Sequence, residues 1–160
     1  GSEMCIRDRG YVEEALAAEK RKCEAFGIPY SVIVADVNRL KQANDEYGHE
    51  AGDRLLMSVS EHLRTETREA DIVARTGGDE FLLLLTDTGE EGAHQLARRF
   101  SMEVFDNVTL EVGDNELFPV TVSLGVAGSD RVPHVDLLKT ADRRMYAAKE
   151  AYYRAHTRYR

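Results

Sequence analysis

The chain has 160 residues, a formal charge of −8 and an isoelectric point near 5.2. That balance disfavours a nucleic-acid backbone or an anionic membrane as the main partner, yet a nucleoside triphosphate can still bind through a few cations and a metal. A single domain of this length buries roughly 70% of its unfolded surface without a disulfide or structural metal.

The two cysteines, Cys5 and Cys23, lack metal-ligand spacing. No apolar run reaches the ~20 residues of a membrane span and no signal peptide opens the chain, so a soluble protein of the reducing cytoplasm is expected. Gly1-Ser2 reads as a cloning remnant and residues 1–8 as a tag, linker or truncated opening segment, which places the domain at 9–160. Tyr11 to Phe26 carries Val12, Leu16, Cys23 and Phe26 at helical spacing, with Gly27 as its C-terminal cap and Pro29 beyond. Tyr30 to Asp36 is β-branched and almost wholly apolar until it stops at a carboxylate, as a central strand covered on both faces does. Asp36 is thereby predicted at the strand's C-terminal edge. Val37 to Asp45 reads as a short helix or loop, and about Glu50 to Arg64 as a helix with Leu55, Leu56, Val59 and Leu63 inward.

Two β-type runs, Asp71 to Ala74 and Leu82 to Leu85, flank Arg75-Thr76-Gly77-Gly78-Asp79-Glu80-Phe81. The Gly-Gly pair predicts a two-residue hairpin turn with positive φ. The adjacent carboxylates Asp79 and Glu80 are then free to bind hard cations beside backbone that a large ligand can approach. Glu90 to Val104 is predicted helical, with Ala93, Leu96, Ala97, Phe100 and Val104 inward. Val108 to Val112 and Leu117 to Ala127 read as strands around a Gly113-Asp114-Asn115 turn. A last helix from roughly Val135 past Ala151 turns Leu137, Leu138, Ala141, Met145 and Ala148 inward, and Tyr152 to Arg160 is basic and aromatic. Strand, helix, hairpin, helix, strand is the βαββαβ order of an α+β, ferredoxin-like palm with an antiparallel central sheet, here with extra N- and C-terminal helices. That topology brings Asp36 and the Gly77-Gly78 turn to one sheet edge. Two-metal nucleotidyl transfer needs carboxylates from separate elements placed in this way.

These residues resemble the GGDEF-domain diguanylate cyclases, which condense two GTP into cyclic di-GMP on a palm-like ferredoxin fold. Gly77-Gly78-Asp79-Glu80-Phe81 is the complete signature. Asp36 through Asp53 is similar to the family's Asp-x-Asp/Asn-x-x-Lys-x-x-Asn-Asp-x-x-Gly-His-x-x-Gly-Asp block. Ser123-Leu124-Gly125-Val126 resembles its late core strand, and Ala141-Asp142 with Met145-Tyr146 and Lys149 its last helix.

The resemblance implies Mg²⁺ or Mn²⁺ held by Asp36, the Val37 carbonyl, Asp79 and Glu80, with Asp79 and Glu80 catalytic. It implies Gly77, Gly78, Lys41 and Lys149 at the substrate phosphates, and Asn44, Asp53 and His49 at guanine. Guanine offers two N–H donors to an acceptor-only carboxylate, where adenine offers an acceptor. Arg68-Glu69-Ala70-Asp71 has the spacing of the family's Arg-x-x-Asp product-inhibition site, which Arg75 completes unless it serves the active site. GTP, cyclic di-GMP and a transient homodimer are the implied partners, with an N-terminal sensor outside this chain. A catalytically weak domain that senses GTP or cyclic di-GMP is the alternative, and a cyclase making another cyclic dinucleotide is a third reading. Three departures stand out: little of the family's opening motif survives before Arg9, Arg39-Leu40 replaces an aromatic pair, and Tyr152-Tyr153 stands where Gly-Arg is common after Lys149.

Overall fold

A computed structural model describes residues 7–156; the positions of Gly1-Ser2 and Cys5 and the last four residues of the basic tail lie outside it. The Asp8 carboxylate caps the first helix by accepting from Tyr11 N at 2.9 Å, and Gly27 closes it at φ 69°. That helix is α1, Arg9–Phe26; β1 is Ser31–Val37, α2 Leu40–Tyr47 and α3 His49–Glu66. The central hairpin is β2, Ile72–Arg75, and β3, Glu80–Leu85, followed by α4, Glu90–Arg99. A π-helical turn at Phe100–Val104 and a 3₁₀ turn at Phe105–Asn107 extend α4. The chain then forms β4, Thr109–Val112, β5, Glu116–Pro119, β6, Val122–Gly128, and α5, Leu137–Ala155.

Strands pair antiparallel in the order β2-β3-β1-β6, the ferredoxin-like arrangement expected from the sequence. Because side chains alternate across a strand, the sheet builds two cores. Ile33, Ala35, Val37, Phe81, Leu83 and Val126 pack beneath α2, α3 and α4, while Val32, Val34, Leu82, Leu84 and Ala127 pack beneath α1 and α5. No helix among the described residues is long and apolar enough to cross a membrane.

Several local expectations change. The predicted strand Leu117 to Ala127 breaks after Pro119, and β4-β5 forms its own two-stranded sheet, because Pro119 has no N–H with which to continue a ladder. The β2-β3 connection is not a two-residue turn. It spans Thr76 to Asp79, closed by Thr76 N to Glu80 O at 3.0 Å, and neither Gly77 nor Gly78 takes a positive φ. Leu138, expected inward, is 42% exposed, since it sits at the margin of its helix's buried stripe, and Phe26, the last residue of α1, is 76% exposed.

Candidate functional site

Asp36 is the next-to-last residue of β1 and pairs in register with Glu80 of β3 and Ser123 of β6. It shares the face of Val32 and Val34, which points it toward α5. The Lys149 ammonium on that helix lies 3.3 Å from Asp36 Oδ2, while Oδ1 is buried without a hydrogen-bond partner. The β2-β3 turn is stitched to the same strand end by Val37 N donating to Asp79 O at 2.9 Å. Burial, then the neighbouring Asp79 charge, pushes the Asp36 carboxyl up to about 7 despite the opposing Lys149. Burial also pulls Lys149 down, but Asp36, Asp79 and Tyr153 outweigh it and hold the ammonium above the ordinary lysine range.

This arrangement concentrates negative charge at one exposed sheet edge. Among the described residues no three His, Cys, Asp or Glu side chains form a metal-binding group. Two carboxylates suffice for magnesium, however, which keeps several waters and takes its remaining ligands from substrate phosphates. The unpartnered Asp36 oxygen beside Asp79 fits that role. The Glu80 side chain instead turns to Thr76, whose hydroxyl donates to Glu80 Oε2 at 3.1 Å. Glu80 also faces Asp142 of α5, and burial followed by the Asp142 and Asp79 charges raises its pKa. Glu80 and Asp142 share a 510 Å³ cavity with Arg9, Leu138 and Tyr146.

On the opposite face of the sheet, a 570 Å³ cleft lies between α3 and the turn, lined by Asp53, Leu56, Met57, Ser60, Arg75 and Phe81. Arg75 donates to the Gly77 and Gly78 carbonyls at 3.1 and 2.7 Å, so it braces the turn. Asn44 of α2 reaches across to α3, where a Cβ built on Gly52 would lie only 1.8 Å from Asn44 Oδ1. Gly52 therefore admits the Asn44 side chain next to Asp53, a role that spacing alone did not single out. Gly52→Ala should displace Asn44 and reduce any GTP-over-ATP preference about tenfold, the cost of one lost discriminating hydrogen bond. Competition binding of the two nucleotides checks this, and an unchanged ratio with the fold intact would remove Asn44 from base recognition.

Other predicted site residues are placed differently. His49 is exposed at the first position of α3, beside Gly48 at φ 92°. The Lys41 side chain is 91% exposed and ion-paired with Asp45 at 2.9 Å on the outer surface of α2. Asp71 is buried at 5% exposure. It accepts from Arg68 N, the Arg68 guanidinium and Thr86 N at 3.0 to 3.3 Å. Asp71 thus orients Arg68, which also donates to Thr86 O and Thr88 Oγ1. This pair borders a 210 Å³ depression with Glu66 and Arg99, at the other end of the β2-β3 hairpin from Gly77. Asp142 and Tyr153 were not assigned roles from sequence. Their offsets of two helical turns before and one after Lys149 put all three on one stripe of α5, a signal that helical periodicity carries.

A family model described as diguanylate cyclase, GGDEF domain, matches residues 5–154. The chain is 35% identical over 145 residues to Diguanylate cyclase DosC of Escherichia coli strain K12, covering 90% of this chain and 31% of that protein. It is 32% identical over 147 residues to Response regulator PleD of Caulobacter vibrioides strain NA1000, covering 90% and 32%. The chain spans about a third of the length of these curated relatives. A solved sensory box/GGDEF family protein from Caulobacter crescentus CB15 superposes with a TM-score of 0.81 at 30% identity, over 94% of this chain and 97% of that one.

Proposed function

The chain belongs to the diguanylate cyclase, GGDEF domain family, and from that premise we propose that it joins two GTP molecules into cyclic di-GMP, each 3′-hydroxyl displacing pyrophosphate from the other's α-phosphate, by divalent-metal-dependent nucleotidyl transfer in the cytoplasm. The observation that carries this reading is the buried Asp36 carboxylate, with one oxygen unpartnered, beside Asp79 and Lys149 at the Gly77-Gly78 turn. Magnesium or manganese, when bound, lowers the pKa of the attacking 3′-hydroxyl and offsets charge on the α-phosphate. Asp36, Asp79 and the Val37 carbonyl would hold that cation, and Glu80 a second. Asp79 or Glu80 would accept the 3′-hydroxyl proton.

Lys149 already lies at the site and would meet phosphate as a point charge. Lys41 reaches the triphosphate only by leaving Asp45. Gly77 and Gly78 leave the turn backbone open to the nucleotide, with nothing within 4 Å of a Cβ at Gly78. Asn44 and Asp53 would accept guanine's N–H donors, with His49 flanking the base.

Cyclic di-GMP contains two phosphodiester bonds, and each domain supplies one such site. Two domains must therefore meet face to face, each holding one GTP, in a two-fold symmetric, transient dimer. The test is incubation with GTP and Mg²⁺, identifying products by mass over a hundredfold range of protein concentration. Cyclic di-GMP with specific activity rising with concentration is expected. No product from the folded protein would reject the cyclase, and activity independent of concentration in a sedimenting monomer would reject the dimer.

The same reading assigns product feedback to Arg68 and Asp71. Because Asp71 spends its oxygens on the protein, Arg68→Ala should weaken cyclic di-GMP binding about tenfold or more while leaving basal turnover unchanged. Asp71→Ala should in addition destabilise the fold. Calorimetry giving equal affinities for Arg68→Ala and the parent would reject the site.

A further inference from the structure

β6 is an edge strand of the order β2-β3-β1-β6, and its outer side is only partly closed. Backbone groups alternate in direction along it. Thr121 O accepts from Asn38 N at 3.0 Å on the β1 side, whereas Val126 O accepts from the Arg144 guanidinium at 2.7 Å on the far side. By that alternation Val122, Leu124 and Val126 turn their N–H and C=O groups outward. Arg144 covers the Val126 carbonyl, but among the described residues no hydrogen bond reaches the outward N–H and C=O of Leu124. The edge is the floor of a 560 Å³ groove. α4 and the π-helical turn after it supply one wall with His94, Arg98 and the exposed Met102, and α5 supplies the other with Arg144, Ala148 and Tyr152. The two helices thus flank the space in which a next strand would lie.

An open edge is a template for another strand, and proteins usually block it with charge. Here the block is Arg144 alone, and it stops one rung short of Leu124. The ionisable groups lining the groove are His94, Arg98 and Arg144, with no carboxylate among them, in a chain whose net charge is −8. The buried Glu90 counters Arg144. Arg98 instead pairs at 3.4 Å with Glu91, both more than half exposed, so water screens the pair and Arg98 can turn to a ligand at little cost. Successive side chains of an added strand would point alternately to α4, where His94 and Arg98 stand, and to α5, where Ala148 and Tyr152 stand. We propose that β6 takes up an extended segment of a partner protein as a fifth strand, one that alternates acidic with apolar residues. Main-chain hydrogen bonds at Leu124 would hold the segment, and the two walls would select its side chains. A second copy of this chain fits less well, because Val122–Gly128 carries no carboxylate and pairing it with itself would set Arg98 and Arg144 against a like-charged groove. The proposal is independent of the use of GTP.

The probe is a capped heptapeptide alternating valine and glutamate, titrated into the protein by calorimetry beside its valine-lysine counterpart. The glutamate peptide should bind about tenfold or more tightly than the lysine peptide at low salt, and Arg98→Glu should abolish that preference. Two further glutamate peptides carry N-methyl groups on their odd or on their even residues. Because only alternate amides of an added strand point at β6, one of these should lose binding about tenfold or more while the other keeps it. Hydrogen exchange should find the Leu124 amide fast in the free protein and slowed by the glutamate peptide. No binding of the glutamate peptide, equal affinity for the two charge patterns, or equal loss from both N-methylated peptides would overturn the proposal. A Leu124 amide that is slow in the free protein at every dilution would show the edge already closed, and one that slows as protein concentration rises would give the edge to a second copy. Either result also overturns it.

Discussion

Asp36→Asn should lose roughly a thousandfold or more in GTP condensation while melting no lower than the parent at pH 8, because metal stabilisation of transition-state charge is worth several kcal/mol. The stability half follows from linkage. The folded state raises the Asp36 pKa from 3.8 to about 7, so folding favours the protonated form. Stability contributed by this group is present below pH 4 and is lost as pH rises toward 7. The metal-free parent should therefore lose more melting temperature between pH 5 and pH 8 than Asp36→Asn does. Added Mg²⁺ should recover that loss in the parent and not in the variant. Thermal melts with and without metal, alongside product assays, test both halves. A folded Asp36→Asn protein with full turnover would end the metal assignment, and an identical pH profile in both proteins would show that Asp36 is not the titrating group.

Gly125→Ala should be the most damaging small substitution in the sheet. A Cβ at that position would lie 2.0 Å from Ala141 O and 2.2 Å from Met145 N, both backbone atoms of α5, so no rotamer change relieves it. The helix must lift off β6, at a cost of about 3 kcal/mol or more, which lowers the melting temperature by about 10 °C in a domain of this size. Because α5 carries Asp142, Lys149 and Tyr153 to the site, the KM for GTP should also rise well below the melting transition. Gly78→Ala supplies the contrast. With nothing within 4 Å of its built Cβ and no positive φ, it should melt like the parent yet impair turnover, because the proposed reading gives the space it fills to the nucleotide. Equal stability of Gly125→Ala and the parent would mean that α5 is not seated on β6 as described.

The strand end at Asp36, the carboxylates after Gly78 and the βαββαβ order were all legible in the sequence, because each is set by local pattern. An apolar run that stops at a carboxylate marks a strand terminus, and two motifs in fixed order mark the elements that flank the sheet edge. The orientation of each side chain was not legible. Lys41 and Lys149 are the same residue type, yet Lys149 meets Asp36 and Lys41 pairs outward with Asp45, since rotation of a helix about its axis is set by long-range packing. Asp71, which the family resemblance implies at the product site, is buried and accepts from Thr86, fifteen residues on, because the β2-β3 register returns that residue beside it. Gly77 and Gly78 predict a tight turn with positive φ, but a four-residue connection closed by Thr76 and Glu80 relieves that need. Chain chemistry by itself determined which groups this protein brings to its edge. Only the register of β1 against β3 and the seating of α5 on Gly125 decided which of them face one another, because those distances join residues that local spacing cannot relate.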